Sequence, residues 1–159
     1  MKKISIEIKW GIIFFIISLV WMIFEKAMGW HGAHIDQHAT FTNLFAIPAI
    51  ILYVVALLDK RRNYYNGQMT WKQGFIAGLM IAIVVAVLSP ISQLLTHYWI
   101  SPDYFANAIK HAVNSGEMAK GEARSYFSLG SYILQSAIGS LVMGTVTGAV
   151  VAVFVKRKG

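Results

Sequence analysis

The chain has 159 residues, which fits one domain, and with 57% hydrophobic and only 13% charged residues it has too few charges to cover a soluble globule. Its formal net charge of +7 sits in short clusters between apolar runs rather than along one face, which argues against nucleic acid and for a lipid bilayer as partner. The absence of cysteine excludes disulfides, thiolate metal ligands and cysteine nucleophiles.

The N-terminus has the outline of a signal peptide, since Lys2 and Lys3 precede an apolar run from Trp10 to Phe24. No small-x-small cleavage pattern follows, so an uncleaved span is expected. A membrane-crossing helix needs roughly 20 mostly apolar residues. Four are expected, at about 10–28, 41–58, 74–100 and 127–155, and together they predict an all-α, integral membrane four-helix bundle forming a single domain. Pro48 lies in the first half of the second span and Pro90 within the third.

Lysine and arginine set the expected orientation. With an even number of spans, Lys2, Lys3, Lys9, Lys60, Arg61, Arg62, Lys72, Lys156, Arg157 and Lys158 share one side, against Lys26, Lys110, Lys120 and Arg124 on the other. Both termini are therefore expected in the cytoplasm. Trp10, Trp30, Trp71, Tyr64, Tyr65, Tyr98 and Trp99 fall near span ends, where amphipathic rings settle.

The second connection is short and basic, with Asn66-Gly67 as its turn signal. The third, residues 101–125, is the only sizeable extramembrane segment, and an extracytoplasmic amphipathic helical hairpin is expected there. Ser101-Pro102-Asp103 reads as N-cap, N1 and first-turn acid. Phe105, Ala108, Ile109, Ala112 and Val113 follow at helical spacing, and Asn114-Ser115-Gly116 is a stop signal. A second short helix is expected from Glu117. The hairpin reads either as a cap on the bundle or as an interfacial helix.

Small residues recur every four positions on two spans. Gly74, Gly78, Ala82 and Ala86 make one stripe; Ser136, Ser140, Gly144, Gly148 and Ala152 make the other. In lipid such stripes mark close helix contact, either within the chain or between two copies. Pro90 removes the donor to the Ala86 carbonyl, and Ser89, Ser92, Gln93, Thr96 and His97 cluster beside it. Either these groups satisfy a kink locally or they line a polar cavity opening outward.

Two further features carry chemistry. Trp30 to His38 holds His31, His34, Asp36 and His38 on the outer side, where His34 and His38 are four apart, a spacing used by metal ligands on a helix. Read sharply this is a divalent-metal site; read plainly it is a polar loop. No other cofactor is expected. Glu25 is a lone acid at the edge of an apolar run, and ionisable residues in spans are candidate ion or proton sites. Lys26 and Trp30 place it near the interface, where its carboxylate could equally meet headgroups. With Gln93 and His97 it makes a possible polar or ion site. No nucleophile elbow, phosphate loop, dinucleotide fingerprint or carboxylate dyad is present.

Several stretches together carry a family resemblance: Glu25-Lys26 through His38, Asn43-Leu44-Phe45-Ala46-Ile47-Pro48, Asn66-Gly67 through Phe75, and Ser101-Pro102-Asp103-Tyr104-Phe105. The chain resembles the bacterial membrane-protein family of domain of unknown function (DUF) 4199, common among Bacteroidetes. The resemblance implies a four-span inner-membrane protein and no assigned activity. Two functions stay open at this point, beside a third class, an intramembrane metalloenzyme. One is a non-enzymatic accessory or assembly subunit, as a homo-oligomer or with other membrane proteins. The other is a small, dimeric transporter or ion-coupled channel with its site at the outer ends of spans one and three.

Overall fold

The computed structural model describes residues 4–157; Lys2, Lys3 and Lys158, counted above for orientation, lie outside them. The described residues form seven α-helices: α1 (Ser5–Ala27), α2 (Ile35–Phe41), α3 (Ala46–Asn63), α4 (Trp71–Leu95), α5 (Tyr104–Asn114), α6 (Lys120–Tyr126) and α7 (Leu129–Val155). A 3-10 turn at Thr42–Phe45 joins α2 to α3, and a π-helical turn at Thr96–Ile100 extends α4. Four helical stretches are long and apolar enough to cross a membrane: Ser5–Ala27, Ile35–Asn63, Trp71–Ile100 and Leu129–Val155. Their outward faces are apolar and bare, with Ile16, Val20, Val87 and Phe154 among the most exposed side chains. In water that surface would drive aggregation, whereas in lipid it is solvated.

The tightest contact joins α4 and α7. A Cβ built on Gly78 would lie 2.7 Å from the Gly148 Cα, and one on Gly74 would lie 3.0 Å from the Ala152 Cβ. A Cβ on Gly144 would lie 2.8 Å from that of Ala82. The two small-residue stripes thus meet within one chain, backbone against backbone, as lipid-embedded helices require. Ser136 and Ser140 continue the α7 stripe into a crevice shared with Phe14, Ser89 and Gln93. α1 lies against α4 and α3 against α7, enclosing a core of Tyr53, Leu57, Ile81, Val85 and Val151.

α4 runs through Pro90. The Ala86 carbonyl that proline leaves without its usual donor accepts instead from Ser89 Oγ at 2.9 Å. Winding then loosens: Ser101 N donates to the Thr96 carbonyl at 2.7 Å, closing the π turn.

At the basic end the elements are cross-tied. Asn66 (φ 51°) and Gly67 (φ 87°) make the left-handed turn that their types allow. Thr70 and Gln73 form a capping box that starts α4. Met69 pairs as an antiparallel bridge with Arg157, and Arg61 Nη1 donates to the Val155 carbonyl at 2.8 Å, holding the end of α7.

At the other end, three boundaries differ from the sequence expectation. The second span begins at Ile35 rather than 41, because α2 and the 3-10 turn continue into α3. α5 begins at Tyr104 with Asp103 as its N-cap, so Pro102 stands before the helix rather than in it. α6 begins at Lys120 rather than Glu117, after Gly116 takes φ 75°.

Candidate functional site

The site is built where α1 ends. Gly29 adopts φ 79°, a conformation costly for any side chain, and turns the chain back over α1. Trp30 N donates to the Glu25 carbonyl at 3.1 Å and His34 N to the Gly29 carbonyl at 2.9 Å, fixing the turn. The Trp30 ring then stacks on Phe41 of α2, with centroids 4.7 Å apart and planes within 7°. The result brings His31, from the turn, and His38, from α2, over the last turn of α1.

Glu25 lies beneath them with no solvent exposure. A carboxyl this deep needs partners, and it has four. Trp21, one turn earlier, donates its indole N–H to Oε1 at 2.7 Å. Nε2 of His31 stands 3.1 Å from Oε2, and Nε2 of His38 stands 3.5 Å from the same oxygen. The Thr42 side chain also hydrogen-bonds the carboxyl. Glu25 is thus withdrawn from the headgroups that its neighbours Lys26 and Trp30 suggested in sequence.

Outer elements hold the rings in place. Asn107 of α5 donates to the His31 carbonyl at 3.0 Å. The Tyr104 ring lies against both imidazoles, at centroid distances of 5.0 Å from His31 and 5.2 Å from His38. Its hydroxyl meets that of Tyr132 on α7 at 3.0 Å. Burial, with the nearby Tyr132 and Glu25 adding to it, pushes the Tyr104 phenol well above its ordinary range, so it stays neutral and able to donate.

A cavity of about 150 Å³ adjoins the cluster, walled by His31, His38, Gln93, Thr96, His97 and Tyr104 among others. Two buried polar atoms on that wall, His31 Nδ1 and Thr96 Oγ1, have no protein partner. These atoms give a water or small solute in the cavity groups to hydrogen-bond. Its far wall is the π turn, a distortion common at functional sites; there His97 packs on Phe105 with ring centroids 5.1 Å apart.

Of the residues singled out in sequence, the structure gathers Glu25, His31 and His38, with Gln93 and His97 across the same cavity. His34 and Asp36 are exposed and stand apart from that group. The remaining histidine, His111, lines a separate surface recess with Asn107 and Lys110.

Sequence reading missed Trp21, Thr42, Tyr104 and Tyr132 around the site. It also missed a second buried charge at the opposite end of α1. Glu7 and Lys60 are 4% and 3% exposed and pair at 2.8 Å, with the Lys60 ammonium 3.8 Å from the centroid of the Tyr64 ring. Helical spacing held the signal: Glu7 is one turn from buried Gly11, and Lys60 continues the face of Tyr53, Ala56 and Leu57. Beside this pair Asp59 accepts from Lys9, from Trp10 Nε1 at 2.6 Å and from Asn63 at 2.6 Å.

The chain belongs to the family described as "Protein of unknown function (DUF4199)", whose model matches residues 9–157. Comparison with curated proteins and with solved structures finds no match among either.

Proposed function

We propose that this chain is a small ion-coupled membrane protein, a transporter or channel component, whose working site is Glu25 with His31 and His38. The observation that carries this reading is the fully buried carboxylate joined to two imidazoles beside a cavity whose wall carries several polar side chains. A bilayer protein buries such groups at a cost, so they are expected where protons or cations are handled. Imidazole is the side chain that changes charge near neutral pH, which suits it to that work. Gln93, Thr96 and His97 add polar groups to the wall of the adjoining cavity. We assign the protein to a bacterial inner membrane with both termini cytoplasmic, because the end holding Lys9, Lys60, Arg61 and Arg157 is the more basic and lies opposite the site.

The test is flux in proteoliposomes containing the purified chain. Proton flux, read with an enclosed pH dye, should exceed that of empty vesicles and fall at least about tenfold in Glu25→Gln. Wild-type vesicles as tight as empty ones to protons, alkali ions and divalent ions would overturn the reading.

One observation favours the accessory-subunit reading as second choice. A lateral groove of about 380 Å³ opens between α3 and α7, lined by Asn43, Tyr53, Ser140, Met143 and Thr147. Hydroxyls and an amide facing a side opening suit a neighbouring helix. The small-residue stripes no longer argue for a dimer seam, since they are consumed within the chain. Purification in mild detergent should bring down a stable oligomer or partner if this reading holds; a monodisperse monomer counts against it.

A further inference from the structure

We infer that Glu25, His31 and His38 form a binding site for one divalent transition-metal ion of the zinc class, with an exchangeable fourth position opening on the adjoining cavity. This deepens the ion-site reading above and rests on it.

The argument begins with donor type. Two imidazole nitrogens, which are borderline donors, together with one carboxylate oxygen suit zinc, cobalt or nickel. Calcium and magnesium call for six or more oxygens, or for several retained waters, and one carboxylate among aromatic rings does not supply them.

Spacing comes next. One ligand atom from each of the three residues lies within 4.8 Å of the others. Around a tetrahedral zinc with ligands at about 2.0–2.1 Å, donor atoms stand about 3.3–3.4 Å apart. The two separations from Glu25 Oε2, 3.1 Å to His31 and 3.5 Å to His38, straddle that value. His38 is the more exposed of the two rings, and a shift of a few tenths of an ångström in either ring would equalise the two separations.

Several supporting contacts orient the ligand set, although His31 Nδ1 has no protein partner. The second oxygen of Glu25 is held by Trp21, the backbone of His31 is held by Asn107, and both rings rest on Tyr104. The three ligands arise from separate segments: α1, the turn after it, and α2. A metal there would pin those segments together.

The fourth position separates a working site from a structural one. Structural zinc sites close with four protein ligands, and sites that exchange keep one open. Here the neighbouring space is a cavity whose wall carries two buried, unpartnered polar atoms, His31 Nδ1 and Thr96 Oγ1, together with Gln93 and His97. A water or an anionic or neutral small ligand could complete the coordination from that side.

The experiment uses the full chain in detergent, stripped with chelator and titrated with zinc chloride or cobalt chloride. The expected result is one metal per chain by elemental analysis, a tetrahedral cobalt absorption spectrum, and a rise in unfolding temperature on adding zinc. In Glu25→Gln and in His31→Ala/His38→Ala, affinity should fall at least about a hundredfold and the temperature rise should vanish, while His34→Ala and His111→Ala bind as wild type. If the wild type binds no metal at stoichiometry, or if the Glu25→Gln/His31→Ala/His38→Ala triple variant retains it, the inference is overturned. Each variant's helicity by circular dichroism separates misfolding from ligand loss. Should Glu25→Gln alone misfold, the His31→Ala/His38→Ala pair decides. Proton flux in chelator-treated vesicles separates the two levels: Glu25-dependent flux from a chain that binds no zinc keeps the ion-site reading and removes the metal, whereas absence of both flux and zinc binding removes both.

Discussion

Replacing Gly78 by alanine tests the seam on which the bundle rests. The new Cβ would lie 2.7 Å from the Gly148 Cα, and that neighbour is backbone, which cannot rotate away. Non-bonded carbons rest at about 3.5–4.0 Å, so α4 and α7 must part locally by about 1 Å. A gap of that size forfeits roughly a quarter to a half of the dispersion well for each atom pair it opens, and overpacking of this kind costs about 1–3 kcal/mol. Against this stands the helix-propensity gain from glycine to alanine, about 0.5–1 kcal/mol. The expected net loss is therefore about 1–2 kcal/mol. Gly139→Ala is the control on α7, because a Cβ there meets no heavy atom within 4 Å and keeps only the gain. Reversible unfolding in mixed micelles, followed by circular dichroism against SDS mole fraction, reads both. The two substitutions should move the midpoint in opposite directions. A Gly78→Ala protein as stable as Gly139→Ala would refute the packing argument.

Lys60→Met should destabilise by about 3–5 kcal/mol, because it strands the Glu7 carboxylate in a buried position. Adding Glu7→Gln should recover most of that loss in the same assay; no recovery would mean that Lys60 acts through its other contacts. Tyr104 gives a pH dependence. Its folded pKa is raised by burial, so below the unfolded value of about 10 both states are neutral, and above it only the unfolded state sheds the proton. Stability should fall as pH rises beyond about 10, less steeply in Tyr104→Phe. Identical alkaline profiles for the two proteins would remove Tyr104 as the cause.

Much of the architecture was legible because the bilayer makes simple demands. Apolar length marks the spans, and a four-residue recurrence of small side chains marks the faces that touch. The turn at Asn66-Gly67 follows from residue types that tolerate positive φ. The site was only partly legible. The i, i+4 spacing drew attention to His34 and His38, but His34 precedes α2 and stays exposed, while His31 is carried inward by the Gly29 turn. That reversal depends on a single positive φ and on Trp30 finding Phe41, a contact across eleven residues that no local pattern announces. Glu25 looked shallow because Lys26 and Trp30 adjoin it in sequence; depth was decided by α2 and α5 folding over the helix end.

The two ends of α1 show why one buried carboxylate is read as structural and the other as functional. Glu7 faces Lys60, a charged ammonium that has donors but no lone pair to offer. Such a pair can hold helices in register. Glu25 faces two imidazoles, each of which can carry a proton or present a lone pair to a cation. The first pair is reinforced by Asp59, Arg61 and the Met69–Arg157 bridge at its own end of the bundle, an arrangement that resists movement. The second borders a cavity and a π turn, where the helix winding is loosest. The ion site proposed above therefore falls at the end of α1 that borders a cavity, while the ion pairs and bridge at the opposite end keep the helices aligned.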